Sequence, residues 1–244
     1  MKHLIVAAAI LIWATPAFAQ NADLTRLFED ERAFVYREDP LSATSAGIHD
    51  YDDRLPSVTP ETQARQLREN QQFLTRLHGI DRTQLTQQEQ VSYDLFEFMV
   101  GQRIRLGRYD DWRMPFNSDS GFYSEIVLLD DLQAPRTVRD YENYIARLND
   151  VPRYFREQTA NIRQGMRDGF TLPREIVGGV AQVIGGLRYE NAEAMGLYAP
   201  FASFPASVPE SERGRLREAG RAAITNNVIP AFNEFRAFFE SEYA

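Results

Sequence analysis

An all-α protein, built as an irregular array of long amphipathic helices, is what this sequence predicts. Apolar residues recur at alternating spacings of three and four over most of the chain, and helix-start signals stand ahead of those runs. No alternating strand pattern of useful length and no internal repeat is present. The composition, 43% hydrophobic and 25% charged, suits an ordinary globular domain.

The amino terminus reads as a secretory signal. Lys2 and His3 form a short basic region, residues 4–13 are an apolar run, and Ala17-Phe18-Ala19 is a small-x-small cleavage pattern. The run falls short of the roughly 20 residues that a bilayer-spanning helix needs. Cleavage after Ala19 leaves residues 20–244 as a single helical domain, periplasmic or extracellular, with no stable membrane anchor. The chain has no cysteine, so neither disulfides nor a lipid-modified cysteine can hold it. Stability therefore rests on burial and capping, for which this length is ample. The formal charge is −8, and Lys2 is the only lysine. A net-acidic surface repels phosphate backbones, so nucleic acid is excluded as a partner.

The first helix is expected over residues 23–37, carrying Leu24, Leu27, Phe28, Phe34 and Val35. A loop rich in Ser, Gly and Asp follows over residues 38–56. Thr59-Pro60-Glu61 then starts a helix by capping, a fixed φ and an acid in the first turn. Ala64, Leu67, Leu74 and Leu77 lie on one face of it up to Gly79. Thr86-Gln87-Gln88-Glu89 is a capping box, opening a helix with Val91, Leu95, Phe98 and Gln102 aligned.

Residues 107–136 are the least regular, and residues 122–132 fit either a short helix or a buried extended piece. The clearest stripe comes next: Val138, Tyr141, Ile145, Leu148, Pro152, Phe155, Thr159, Ile162 and Met166. Pro152 should kink this helix or divide it, with Asn149 or Asp150 capping the second part. Residues 171–187 form another helix, in which Gly178-Gly179 and Gly185-Gly186 suggest close helix approach. After a loop over residues 198–209, Ser207-Val208-Pro209-Glu210 caps the last helix, kinked at Pro230. Its face of Phe232, Phe235, Phe238, Phe239 and Tyr243 requires a partner, either in this fold or in sequence beyond it.

Chemistry-bearing residues concentrate in one place. Within residues 49–54, His49, Asp50, Tyr51, Asp52, Asp53 and Arg54 place three carboxylates, a histidine and an arginine together. Asp50, Asp52 and Glu61 occupy positions one, three and twelve of a calcium loop. Leu55 replaces the required glycine, though, and Pro56 follows it, so this is not an EF-hand. Two readings remain: a turn whose aspartates accept backbone N–H bonds and pair with Arg54, or the polar lining of a ligand cleft. A zinc site would need both His49 and His78 with distant carboxylates, and His78 reads better as a helix C-terminal residue. No Gly-x-Ser-x-Gly elbow is present, and the adjacent pairs Asp110-Asp111 and Asp130-Asp131 are weak glycosidase candidates. No catalytic or metal residue is assigned.

The segment Gly47-Ile48-His49-Asp50-Tyr51-Asp52-Asp53-Arg54-Leu55-Pro56, continued by Ser57-Val58-Thr59-Pro60-Glu61, resembles the amino-terminal signature of the bacterial DUF885 proteins. So do Leu95-Phe96-Glu97, Asp140-Tyr141-Glu142-Asn143-Tyr144 and Gly169-Phe170-Thr171-Leu172-Pro173-Arg174, in the same order. The resemblance implies an exported helical protein similar to zinc metallopeptidases and roughly twice this length. The family's metal motif, of the form His-Glu-Ala-x-Pro-Gly-His-His, has no counterpart here. The resemblance thus implies the non-catalytic amino-terminal half of a larger metallopeptidase-like fold. Zinc, and the chemistry acting on a peptide substrate, would belong to a missing carboxy-terminal half, which would also account for the aromatic face at the end. The alternative is a stand-alone periplasmic module that binds a peptide or protein. Either way, residues 49–54 would line a cleft.

Overall fold

The computed structural model describes residues 21–244, so the expected signal segment and its cleavage site lie outside the described residues. The chain forms α1 (Ala22–Glu38), α2 (Pro40–Ser45), α3 (Pro60–His78), α4 (Gln87–Leu106), α5 (Phe122–Val127), α6 (Leu129–Leu132) and α7 (Val138–Arg167). It continues through α8 (Arg174–Gly185), α9 (Ala199–Ala202), α10 (Glu210–Ala223) and α11 (Ile229–Phe238). Among the described residues there is no strand, only an isolated bridge between Phe116 and Gly121. The expected all-α class holds. No helix of the described residues is long and apolar enough to cross a membrane.

Local signals placed most boundaries. Asn21 accepts the Leu24 N–H at the start of α1, Thr59 caps α3, and the Thr86–Glu89 capping box opens α4. The expected loop over residues 38–56 instead contains α2, because Asp39 caps it through Ser42 while Pro40 occupies its first turn. Residues 122–132 resolve as the two short helices α5 and α6.

Two apolar cores organise these elements. The smaller lies among α1, α3 and α4, with Leu27, Phe34, Phe73, Leu77, Phe96 and Val100 at its centre. The larger surrounds α7 and draws side chains from α2, α5, α6, α8, α10 and α11. α7 is buried along two faces. Of the expected stripe, Tyr141, Leu148, Phe155 and Ile162 are buried. A second buried stripe runs through Tyr144, Arg147, Val151, Tyr154, Gln158, Asn161 and Gly165, also at spacings of three and four. Pro152 does not divide the helix, and Asp150 caps nothing within it. Proline inside a helix costs about 3 kcal/mol. Burial of Val151, Tyr154 and Phe155 beside it outweighs that cost.

On α4 the expected face is inverted. Val91, Leu95, Phe98, Met99 and Leu106 are between 44% and 62% exposed, while Tyr93, Phe96, Val100 and Ile104 are buried. Two apolar stripes lie on opposite sides of this helix, and periodicity cannot say which one faces the core. The inner stripe packs its rings on α1, with Phe96 and Phe28 centroids 5.0 Å apart. On α3, likewise, Asn70 and Phe73 are buried and Ala64 is exposed. We expect Leu95→Glu with Phe98→Glu to leave thermal stability within about 0.5 kcal/mol of the parent while reducing binding of an apolar dye. A loss of stability measured by thermal denaturation would place this face in the core after all.

The carboxy-terminal aromatics are also placed differently from expectation. Phe232, Phe235, Phe238 and Phe239 are each less than 5% exposed, packed on α5 and α7 of this same chain. A missing half is therefore not needed to account for them. The helical path from α10 into α11 widens to a π-turn at Ile224–Val228, just ahead of Pro230. That wide turn absorbs the N–H that proline lacks without breaking the helix. Val208 and Pro209 lead into α10 without a side-chain cap, since the Ser207 hydroxyl donates to the Arg136 carbonyl instead. Gly178, Gly179 and Gly185 have open space where a Cβ would stand, and Gly186, which caps α8, meets only the carbonyls of the preceding turn, so the glycine pairs mark no close helix approach. Close approach occurs at Gly165, where a Cβ would stand 2.7 Å from the Arg113 carbonyl oxygen.

Candidate functional site

The segment that links the two cores runs over residues 46–58. Gly47, at φ +78°, turns the chain out of α2, and its N–H and that of Ile48 satisfy the Thr44 and Ala43 carbonyls. Of the six candidate residues that follow, only Asp52 is buried. Its carboxylate accepts the Thr44 hydroxyl at 2.5 Å and lies 2.8 Å from His49 Nδ1. His49, Asp50, Asp53 and Arg54 are exposed, and Tyr51 is half-buried. Arg54 pairs with Asp53 at 3.0 Å and covers the Tyr51 ring at 5.4 Å. The turn reading is met by the Asp53–Arg54 pair, whereas Asp52 bonds side chains rather than backbone N–H groups.

Arg147, fully buried on α7, holds this segment together. Its Nε donates to the Arg54 carbonyl at 2.9 Å, Nη1 to Gln133 Oε1 at 2.7 Å, and Nη2 to the Tyr51 carbonyl at 2.9 Å and to Thr44 Oγ1 at 3.1 Å. Asp52 Oδ1 stands 3.7 Å away as its charge partner. Burial lowers the Arg147 guanidinium to about 10, and the Asp52 and Asp53 carboxylates oppose that shift. The planar fork suits this task because five fixed donors can serve several carbonyls at once.

Further along α7 the same face continues to read backbone. Asp150 accepts the Leu55 N–H at 3.0 Å, and Arg153 donates to the Leu55 and Pro56 carbonyls. Glu157 accepts the Val58 N–H at 2.8 Å, and Asn161 donates to the Val58 carbonyl at 2.7 Å. Residues 51–58 are thereby strapped along α7 by side chains spaced three or four apart. No strand partner is needed to satisfy this extended backbone. Burial would raise the Asp150 carboxyl, but Arg153 and the Leu55 N–H hold it below the usual carboxylate range.

The strap forms one side of a cleft of about 530 Å³, whose other side is the end of α1 and the start of α3. Its lining alternates in charge: Arg37, Arg54, Arg65 and Arg153 against Glu38, Asp150 and Glu157. Arg65 grips Glu38 through both guanidinium nitrogens, at 2.9 and 2.6 Å. Burial would raise the Glu38 carboxyl, yet Arg65 and Gln66 hold it below the usual range. A recess of about 300 Å³ lies beyond Pro56 and Ser57, lined also by Phe34, Asn70 and Glu125. Of the expected site residues, Arg54 alone lines the cleft. His49, Asp50, Tyr51, Asp52 and Asp53 line neither space. Reasoning from sequence missed Arg153, Glu157 and Arg65, whose only signal was their three-and-four spacing on helices.

Zinc does not fit these residues. His49 and His78 pair with separate carboxylates, Asp52 and Glu97, and the described residues contain no group of three His, Asp or Glu that could hold a metal ion.

The comparisons with known proteins agree with this architecture. The model of a family described as "Bacterial protein of unknown function (DUF885)" matches residues 40–244. A solved structure of a protein from Colwellia psychrerythraea superposes with a TM-score of 0.72 at 17% identity. The match covers 89% of this chain and 40% of that one, so this chain spans less than half the length of that structure. At this identity the likeness concerns the fold. No curated protein matches the chain.

Proposed function

The chain belongs to the DUF885 family, and from that premise we propose that it acts as the amino-terminal, non-catalytic helical part of a larger, exported, metallopeptidase-like architecture. In that role it forms one wall of a cleft for a peptide substrate, and zinc and the hydrolytic groups come from the carboxy-terminal part. The observation that carries this reading is the charged cleft between the two cores, with Arg37, Arg54, Arg65 and Arg153 on its lining. Guanidinium groups suit peptide carboxylates and carbonyls. The strap's own backbone groups are already bonded to α7, so its outward side chains are left for other partners. The 40% span of the Colwellia structure leaves room in that fold for the remainder. Purified chain, assayed for bound zinc by elemental analysis and for turnover of a mixed peptide library, should show neither. Stoichiometric zinc accompanied by hydrolysis would overturn the reading.

A second reading, a stand-alone periplasmic module for a peptide or protein, is favoured by one observation. The aromatic face of α11 is buried by α5 and α7 of the same chain. A cooperatively melting monomer supports that module. Aggregation with dye binding supports the half-fold.

A further inference from the structure

We propose that the outer face of α4 is the contact through which two copies of this chain associate weakly, their α4 helices packed antiparallel across a two-fold axis at Phe98. This contact lies outside the cleft and goes beyond the reading given to it. It follows from a helix with two apolar faces, of which the core takes only one, through Tyr93, Phe96, Val100 and Ile104. On the other, Val91, Leu95, Phe98, Gln102 and Leu106 follow one another at spacings of three and four, with Met99 beside them. A stripe of that period is complementary to a second helix. Among the described residues no other helix exposes more than one large apolar side chain, so the matching stripe at hand is the same one on a second copy. The area suits such a pair. Five apolar side chains, each between 44% and 62% exposed, free roughly 500 Å² per copy, in the upper range of patches that monomers leave uncovered. Pairing them covers about 1,000 Å² in total, the lower bound of a specific interface, and so a weak one.

Charge decides the occupant and the orientation. Asp94 and Glu97, on one border of the stripe, are taken by Arg82 and His78, and Arg103, on the other, by Glu31. Two copies therefore meet along these borders without bringing unpaired like charges together. Gln102 and Arg105 stand within the stripe itself, where the guanidinium donates to the amide oxygen. Immersion in lipid would strip both of water, which speaks against a bilayer as the occupant. A parallel pair of helices would set Arg105 and Arg108 against their own copies. An antiparallel pair centred on Phe98 separates them and brings Arg105 near Asp94 of the second copy. It also sets Val91 against Leu106 and Leu95 against Gln102, and it aligns the two helix dipoles head to tail.

Sedimentation equilibrium of the purified chain tests this. A reversible monomer–dimer equilibrium is expected, half-associated at roughly 10–100 μM, as suits a contact of this size. Leu95→Glu with Phe98→Glu should be monomeric throughout that range with an unchanged circular dichroism spectrum. Dilution below it leaves the face of the parent free, the condition under which this double variant lowers dye binding at unchanged stability. Gln102→Leu, which puts a leucine against Leu95, should tighten association about fivefold. The chain has no cysteine, so single cysteines report the geometry. Mild oxidation should link two copies of Phe98→Cys, while Gln102→Cys, whose copies lie apart in the antiparallel pair, should link far less. A monomer at several times the expected concentration, or a dimer that persists in the double glutamate variant, overturns the proposal. So does preferential linking of Gln102→Cys, which indicates a parallel pair, or binding to zwitterionic liposomes without self-association, which gives the face to lipid. None of these results bears on the cleft, whose test is hydrolysis and zinc content.

Discussion

Arg147→Ala should destabilise the protein by about 3–5 kcal/mol, the usual result of removing one partner from a buried charged network. The change leaves Asp52 as a buried carboxylate without its guanidinium partner, deprives the Arg54 carbonyl and Gln133 Oε1 of their donor, and leaves the Tyr51 carbonyl with only the Arg54 N–H at 3.3 Å. Each buried acceptor stranded in this way costs about 1–3 kcal/mol before relaxation. Urea denaturation measures the loss. Limited proteolysis adds a readout that a general loss of packing would not: cleavage should appear first within residues 46–58, the segment that Arg147 anchors. Arg147→Lys should recover only part of the stability, because an ammonium group cannot reach acceptors arranged around a planar fork. A midpoint within about 1 kcal/mol of the parent would show that α7 does not hold the strap through this residue.

Phe235→Ala should cost about 3–5 kcal/mol, as for other large-to-small changes in well-packed cores. The ring is 1% exposed. It meets Phe122 edge-on at 4.9 Å and lies within 6.0 Å of the Tyr123 and Phe155 rings. The loss therefore includes edge-to-face contacts as well as buried area. Thermal denaturation distinguishes the two expectations for this face. Were these aromatics waiting for a partner outside the fold, truncation would change stability little and would reduce dye binding instead.

These two residues differ in how far sequence could reveal them. Phe235 belongs to an aromatic repeat that was plain on inspection, but whether its partner lay inside the chain depended on where α5 and α7 stand. Arg147 is part of a stripe as regular as the one that was recognised, from Tyr144 to Gly165. Apolar periodicity does not reveal it, because Arg147, Gln158 and Asn161 interrupt the apolar pattern. A polar side chain on a buried face is intelligible only once its acceptors are known, and most of those of Arg147 come from residues 40–58, between 93 and 107 positions away. The six-residue cluster at positions 49–54 shows the reverse. It drew attention by composition, yet five of its six members line neither the cleft nor the recess, and the charged lining comes mainly from α1, α3 and α7.

Helical class, the caps at Thr59 and Thr86, and the apolar stripe from Val138 to Met166 are local matters, and the sequence is sufficient for them. They depend on backbone donors and side chains within a turn of one another. Which face of α4 turns inward, whether Pro152 breaks α7, where the aromatic end is buried, and which charges share a cleft were decided by packing between distant segments. In each case the local preference is worth a few kcal/mol or less, and tertiary burial of rings and a guanidinium outweighs it.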